Sequence, residues 1–222
     1  MSTTQTTESP STWKPKAIIF DLFTALLDSW TLWAASTPQD SAADGRLWRA
    51  RYLEITFGSG TYVPYEDLVR TAARDVGLPQ SAPEALLRNW DGLAPWPEAP
   101  AVLQRLRAQG YMLGVVTNCS KELGHRAASR ASQSSIDFDA VVTAEESGFY
   151  KPASQAYQAI LTAMAVDARD VLFVAGSAGD VQGATKAGMR VVWHNKVGMA
   201  KAGNIEPLRE GRTLDDALKS FL

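Results

Sequence analysis

The sequence predicts a doubly wound (Rossmann-like) α/β fold with a parallel sheet and a helical segment inserted after the first strand. Two observations lead to this prediction. Short apolar runs alternate with helical patterns in the second half of the chain, which is typical of parallel strands joined by right-handed helical crossovers. Residues 29–92, in contrast, read mostly as helix. We therefore expect a flexible tail at 1–14, a core at 15–28 and 96–222, and a helical cap at 29–95.

The first predicted strand is the apolar run at 17–20, which is too short for a helix and ends at Asp21. Three stretches of the cap then place apolar residues at helical spacing, at 46–53, 65–76 and 82–90. These patterns contain no β-rich segment, so we predict a cap made of helices alone.

Beyond Pro97, helices and strands alternate. Strands are predicted at 111–116, 138–142, 171–174 and 190–193. Helices are predicted at 100–109, 121–130, 154–164 and 181–187, and glycines end the first and the last of them.

The bulk properties exclude several classes of protein. The chain has 222 residues, 45% hydrophobic and 21% charged, as in an ordinary globular protein. Its formal net charge of -2 provides no basic surface, so we expect neither nucleic acid nor a membrane as a partner. The single cysteine, Cys119, cannot form an internal disulfide, and residues 1–15 contain no apolar run. We therefore expect a cytoplasmic protein.

Tryptophan is clustered in and beside the predicted cap, at Trp30, Trp33, Trp48, Trp90 and Trp96. Packing of a small helical layer accounts for any one of them. The clustering favours an aromatic wall around a small organic ligand for one or two of them.

Polar residues follow the predicted strands at the points where each strand ends. They are Asp21 after the first strand, Thr117 and Asn118 after the next core strand, Lys151 in a loop, and Ser177 and Asp180 after a later strand. Ligands of such sheets bind at the carboxyl ends of the strands, at the switch in strand order. A carboxylate at the end of a buried strand is costly without a partner or a task. We therefore predict an active site here, with Asp21 as its nucleophile.

Four motifs in order resemble those of the haloacid dehalogenase superfamily. They are FDLFTALLD at 20–28, VTN at 116–118, YKP at 150–152 and FVAGSAGD at 173–180. Each is weak alone, but four in order at strand ends are a strong signal. The resemblance covers about residues 15–200 and implies a hydrolase with a covalent aspartate mechanism.

Two departures from the superfamily pattern argue against a phosphatase. Phosphatases of this superfamily carry a second aspartate two residues after the nucleophile, where this chain has Phe23. They also carry an acidic magnesium ligand early in the fourth motif, where this chain has Gly176. Because magnesium needs several hard oxygen ligands, we expect no metal, no cofactor and no phosphoryl transfer.

The aromatic residue at position 23 resembles the L-2-haloacid dehalogenase branch. In that branch the aspartate displaces the halide from a small 2-substituted carboxylate, and water hydrolyses the resulting ester. The resemblance implies that Lys151 supports Asp21, and that Asp180 holds Lys151 and helps to activate water. It also implies substrate contacts for Arg49 and Tyr157, and we further predict substrate contacts for Phe23, Trp48, Thr117, Asn118 and Ser177. Relatives in this branch are often dimers, so we expect a homodimer.

Some of these assignments have a structural alternative. Arg49 could lie on a solvated helix face, and Thr117 could cap the next helix. The alternative for Lys151 is an ion pair with Asp180, which is compatible with a catalytic role.

The leaving group also has alternatives. The dehalogenase branch has Gly-Thr where this chain has Thr24-Ala25, and a serine and an asparagine where this chain has Ala175 and Ser177. The run at 24–30 resembles that of L-azetidine-2-carboxylate hydrolases, which open a strained ring by the same displacement to give 4-amino-2-hydroxybutyrate. A cationic ring nitrogen favours aromatic faces and acceptor oxygens around it. We therefore predict ring opening first, halide displacement as the alternative, and an inactive or phosphate-binding protein as the third interpretation.

Overall fold

The computed structural model describes residues 13–133 and 135–222, so most of the predicted tail at 1–14 lies outside the described residues. The strands in chain order are β1 (Ala17–Phe20), β2 (Leu27–Asp28), β3 (Ala94–Pro95), β4 (Met112–Thr117), β5 (Ala140–Thr143), β6 (Val171–Ala175), β7 (Arg190–His194) and β8 (Arg209–Gly211). Six of them form a parallel sheet in the order β5-β4-β1-β6-β7-β8.

The strand order confirms the doubly wound fold. From β1 the chain passes to β4 and β5 on one side, and then returns to β6, β7 and β8 on the other. The direction of winding therefore reverses next to β1. A crevice opens above the carboxyl end of the sheet at such a point, which is where β1 delivers Asp21.

Four helices lie between β2 and β3. They are α1 (Ser29–Ala35), α2 (Ala42–Ser59), α3 (Tyr65–Asp75) and α4 (Ser81–Arg88). The short strands β2 and β3 pair antiparallel, with Leu27 opposite Pro95, so the chain enters and leaves this helical segment side by side. The predicted helical stretches at 46–53, 65–76 and 82–90 correspond to α2, α3 and α4, whereas α1 and the two short strands had no prediction of their own. Two residues are too few to carry a periodic pattern.

The remaining helices cover the sheet. They are α5 (Ala99–Ala108), α6 (Lys121–Ser132), α7 (Ala144–Ser147), α8 (Ser154–Ala163), α9 (Ala178–Lys186) and α10 (Leu214–Ala217). Ile18 and Phe20 of β1 pack in one apolar cluster with residues of α5 and α6, while Ala17 and Ile19 pack in another with residues of α8 and α9. Burial on both faces explains why β1 reads as a continuous apolar run.

The apolar cluster that contains Ile18 and Phe20 continues into the helical segment between β2 and β3, through side chains such as Trp33, Trp48 and Trp90. The helical segment therefore shares one apolar cluster with this face of the sheet. Two elements near the end of the chain, β8 and α10, were not predicted, because three and four residues are too few for a periodic signal. Among the described residues, no helix combines the length and the apolar character needed to cross a membrane.

Candidate active site

Asp21 follows β1 directly, and the loop at 21–25 folds back over its carboxylate. Oδ2 of Asp21 accepts hydrogen bonds from Oγ1 of Thr24 at 2.7 Å, from the backbone N–H of Thr24 at 3.2 Å and from that of Ala25 at 3.4 Å. Oδ1 accepts from Nζ of Lys151 at 2.8 Å. The two oxygens of this buried carboxylate therefore have different surroundings, with three donors on one and a cation on the other.

Lys151 bridges two buried carboxylates. Its Nζ lies 2.8 Å from Oδ1 of Asp21 and 3.1 Å from Oδ2 of Asp180, and its side chain is only 2% exposed. Burial disfavours the ammonium ion, but the charges of Asp180 and Asp21 outweigh burial and raise the pKa of Lys151. Burial also opposes the charge of Asp21, and here the attraction of Lys151 and the Thr24 hydrogen bonds prevail and lower the pKa of Asp21.

Asp180 is held from three sides. Its Oδ1 accepts from the hydroxyl of Tyr157 at 2.8 Å, and its Oδ2 accepts from Oγ of Ser177 at 3.2 Å as well as from Lys151. Ser177 is also the N-cap of α9 and accepts from the backbone N–H of Asp180. Burial, assisted by the negative charge of Asp21, raises the pKa of Asp180. Of the two carboxylates, Asp180 is therefore the better proton acceptor.

Arg49 lies on α2 with its guanidinium stacked between two aromatic rings. Its Cζ is 4.6 Å from the ring centroid of Trp30 and 5.6 Å from that of Trp33. The residue is only 4% exposed, and burial lowers its pKa. Within residues 13–133 and 135–222, Nε of Arg49 has no hydrogen-bond partner. A buried cation with an unused donor is a site for an anion.

These groups surround one small cavity of about 30 Å³. It is lined by Asp21, Phe23, Thr24, Arg49, Tyr52, Leu53, Phe57, Tyr65, Asn118, Lys151, Ser177 and Asp180. One water needs about 10–15 Å³ of space measured in this way, so the cavity holds about two waters. A carboxylate with its α-substituent is larger than two waters.

The surroundings of Gly176 do not fit a magnesium ligand. A Cβ atom built at Gly176 would lie 2.5 Å from Oδ2 of Asp21 and closer still to Oγ1 of Thr24. An acidic side chain has no space at this position, and Thr24 already occupies the place where such a ligand would project. Within the described part of the chain, no three His, Cys, Asp or Glu side chains are grouped as metal ligands would be.

The structure brings seven of the predicted residues to the cavity wall: Asp21, Phe23, Arg49, Asn118, Lys151, Ser177 and Asp180. For Arg49, the solvated helix face is excluded. The wall also contains Tyr52, Leu53 and Phe57, which the sequence analysis missed although they follow Arg49 by three, four and eight residues on one face of α2. Thr24 was noted only as a departure from the dehalogenase pattern.

Two residues predicted to contact substrate do not line the cavity, because their side chains have other hydrogen-bond partners. Trp48 is fully buried inside the helical segment, where its Nε1 donates to the carbonyl of Val69 at 3.0 Å. Tyr157 lies behind Asp180 and donates to it, away from the cavity wall. Spacing along a helix predicts a face, but it does not predict which neighbour covers that face.

The pair after β4 also differs from the prediction. Thr117 is fully buried, does not line the cavity, and has its methyl group directed toward α6 at Gly124. Asn118 reaches the wall, but its Oδ1 accepts from the backbone N–H of Lys151 at 2.7 Å and its Nδ2 donates to the Lys151 carbonyl at 2.9 Å. The amide of Asn118 therefore fixes the backbone of Lys151 and is not free to bind a substrate carboxylate with both ends.

The aromatic wall predicted from the tryptophans is also wrong in its composition. Among the described residues, which include all seven tryptophans, none of the tryptophan rings lines the cavity. Its aromatic lining is Phe23, Tyr52, Phe57 and Tyr65. Trp30 and Trp33 do not reach the cavity themselves but contact the guanidinium of Arg49, which does.

Comparisons with known proteins find relatives along most of the chain. Residues 18–194 match a family model described as haloacid dehalogenase-like hydrolase. The chain is 30% identical over 216 residues to (S)-2-haloacid dehalogenase H-109 of Pseudomonas putida, across 90% of this chain and 95% of the relative. It is 31% identical over 157 residues to a phosphatase of Mycobacterium tuberculosis, across 69% and 72%. A crystal structure of an L-2-haloacid dehalogenase superposes with a TM-score of 0.81 at 29% identity, across 93% and 98%.

Proposed function

This chain belongs to the haloacid dehalogenase-like hydrolase family, as its four motifs predicted, and from that premise we propose that it hydrolyses small (S)-2-haloacids. The observation that carries the proposal is that Asp21 and Arg49 line the same cavity. Asp21 is a buried carboxylate held charged by Lys151. Arg49 is a buried cation with an unused donor, suited to the substrate carboxylate or to the departing halide.

In the first step, Oδ1 of Asp21 attacks the α-carbon. We assign the attack to Oδ1 because Oδ2 already accepts three hydrogen bonds. The new Oδ1–carbon bond forms as the carbon–halogen bond breaks, and the halide leaves with the bonding electrons. Arg49 stabilises the charge on the leaving atom. In-line attack inverts the α-carbon once.

In the second step, water attacks Cγ of the Asp21 ester. Negative charge then develops on Oδ2, where the three donors from Thr24 and Ala25 already point. Asp180, the better proton acceptor of the two carboxylates, takes the water proton directly or through a second water. On collapse, the bond between Cγ and the ester oxygen breaks, and that oxygen takes the proton back from Asp180 and leaves as the hydroxyl of an (R)-2-hydroxy acid. The oxygen that came from water releases its remaining proton to solvent, which restores the Asp21 carboxylate.

Ring opening of L-azetidine-2-carboxylate uses the same displacement and stays a prediction. Two of the three relatives are haloacid dehalogenases and the third is a phosphatase. The names of the two dehalogenases favour the halide as the leaving group. The position of Arg49 agrees with that order, since a cation beside the cavity repels a protonated ring nitrogen. Phosphoryl transfer is disfavoured because Phe23 and Gly176 provide neither a general acid nor a magnesium ligand.

The test is turnover of L-2-chloropropionate and L-azetidine-2-carboxylate side by side, with EDTA present and Asp21→Asn as the inactive control. We expect chloride and D-lactate from the first substrate and none from the variant. Single turnover in ¹⁸O-water places the label in Asp21, because water attacks Cγ and the product oxygen comes from Asp21. If the azetidine ring is opened and no chloride is released, ring opening replaces halide displacement as the proposed function. If ¹⁸O appears in the product of the first turnover, the ester mechanism is overturned.

A further inference from the structure

Three consecutive backbone carbonyls of the nucleophile loop, residues 21–25, accept hydrogen bonds from side chains elsewhere. The carbonyl of Phe23 accepts from Oγ of Ser29 at 2.5 Å, and that of Thr24 accepts from Nε1 of Trp96 at 3.0 Å. The carbonyl of Ala25 lies 2.8 Å from Nδ1 of the buried His194, which must carry the proton to donate. A loop that supports a nucleophile is thus held from outside along its length.

Peptide planarity makes two of these contacts more than structural. The carbonyl of one residue and the N–H of the next belong to one rigid plane and point in opposite directions. Ser29, by holding the carbonyl of Phe23, therefore holds the N–H of Thr24 toward Oδ2 of Asp21. Trp96, by holding the carbonyl of Thr24, holds the N–H of Ala25 toward the same oxygen.

The origin of the two holding residues is also informative. Ser29 is the first residue of α1, immediately after β2, and Trp96 immediately follows β3. The backbone N–H of Trp96 further donates to the carbonyl of Leu26 at 2.9 Å. The paired strands β2 and β3 are the two connections of the helical segment that closes the cavity. Any change in the position of these connections is therefore transmitted to the two N–H groups beside Asp21.

We propose that Ser29 and Trp96 are positioning residues that orient the N–H groups of Thr24 and Ala25 toward Oδ2 of Asp21, and that they thereby couple the stabilisation of this oxygen to the position of the two connections of the helical segment. The proposal rests on the proposed function for its effect on rate, but the orientation of the N–H groups is independent of the substrate. It assigns Ser29 and Trp96 no contact with substrate or with the reacting atoms.

The first experiment follows the amide protons of Thr24 and Ala25 by NMR in the full chain without substrate. Asp21→Asn identifies the signals that depend on the carboxylate. We expect Ser29→Ala to shift the Thr24 amide upfield and to speed its hydrogen exchange, and Trp96→Phe to do the same for Ala25. Ser29→Thr keeps a hydroxyl and restores the Thr24 signal. Should Ser29→Ala not fold, Trp96→Phe decides the question alone.

The matched control is Trp48→Phe. Trp48 is buried like Trp96 and donates a bond of the same 3.0 Å length, but to Val69 within the helical segment. Trp48→Phe removes one indole donor without touching the nucleophile loop, so we expect the amide signals of Thr24 and Ala25 to stay in place. Unchanged amide signals in both Ser29→Ala and Trp96→Phe would overturn the proposal.

The second experiment separates the two chemical steps with L-2-chloropropionate. Misaligned N–H groups weaken the stabilisation of charge on Oδ2, which develops only when water attacks the ester. Trp96→Phe should therefore slow ester hydrolysis by up to about tenfold, less than the complete loss of a donor, and leave ester formation nearly unchanged. A variant that is merely less stable would slow ester formation and ester hydrolysis together. If Trp96→Phe slows both steps although the Ala25 amide signal has moved, the proposed effect on catalysis is rejected. If wild type releases no chloride, the proposed function fails while the amide signals still decide the positioning.

Discussion

Replacement of Thr24 by valine tests the assignment of Oδ2 as the oxygen that carries negative charge during ester hydrolysis. Valine has nearly the same shape as threonine but lacks the hydroxyl. The lost bond is the shortest of the three to Oδ2, at 2.7 Å against 3.2 Å and 3.4 Å for the two backbone donors. The backbone donors remain, so the change removes one interaction from a site that is otherwise intact.

The magnitude follows from the nature of that bond. A buried hydrogen bond to a charged group contributes about 1.5–3 kcal/mol. At about 1.36 kcal/mol per tenfold change in rate, its loss slows ester hydrolysis by about 10- to 150-fold. Ester formation should not slow, because alkylation removes charge from the carboxylate, and an anion with fewer hydrogen bonds is no worse a nucleophile. We therefore expect Thr24→Val to accumulate the Asp21 ester.

The assay is intact-protein mass spectrometry after rapid mixing with L-2-chloropropionate, together with chloride release. In Thr24→Val, a burst of chloride should equal the amount of enzyme, and the protein should gain the mass of one propionate unit at Asp21. Thr24→Ser keeps the hydroxyl and should resemble wild type. The reasoning fails if Thr24→Val hydrolyses its ester at the wild-type rate, or if it slows chloride release in the burst instead.

Three further predictions test other parts of the site. Arg49→Lys should raise the KM for L-2-chloropropionate about tenfold or more, because an ammonium group lacks the planar set of donors, and steady-state kinetics measure it. Asp180, whose pKa is raised above its usual 3.8, should set the acidic limb of the pH profile of kcat above pH 3.8; kcat falls as this base is protonated, and Asp180→Asn should remove that limb. Gly176→Asp with added magnesium should yield no phosphatase activity toward p-nitrophenyl phosphate and a lower melting temperature, because its Cβ atom collides with Thr24. A wild-type KM in Arg49→Lys, an unchanged acidic limb in Asp180→Asn, or phosphate release by Gly176→Asp would each contradict the argument for that residue.

The charged centre of the site could be predicted from the chain alone, and so could the family. Asp21 follows a buried apolar strand, and Asp180 lies five residues beyond the end of another. Strand ends in a doubly wound sheet converge at one edge, so the convergence follows from topology without any knowledge of side-chain contacts. Lys151 was predicted from its motif, and the structure places it between the two carboxylates. The expected homodimer and the domain boundaries stay predictions.

The roles of residues one layer further out could not be predicted in the same way. Tyr157 and Asn118 both lie near the site, but Tyr157 hydrogen-bonds Asp180 and Asn118 hydrogen-bonds the Lys151 backbone. A motif gives the position of a residue along the chain, whereas its hydrogen-bond partner depends on the direction of the side chain. That direction depends on what the neighbouring elements leave open.

Sequence by itself determined the fold class, because apolar periodicity and glycine stops are local properties that each element carries in its own residues. It also predicted Asp21 as the nucleophile and Lys151 as its cation, because parallel topology brings strand ends together. Only the tertiary structure decided that Arg49 is buried on Trp30, that Thr24 fills the space beside Gly176, and that Ser29 and Trp96 hold the nucleophile loop. Each of these depends on contacts between segments far apart in the chain, whose distances and directions are set when the helical segment packs on the sheet.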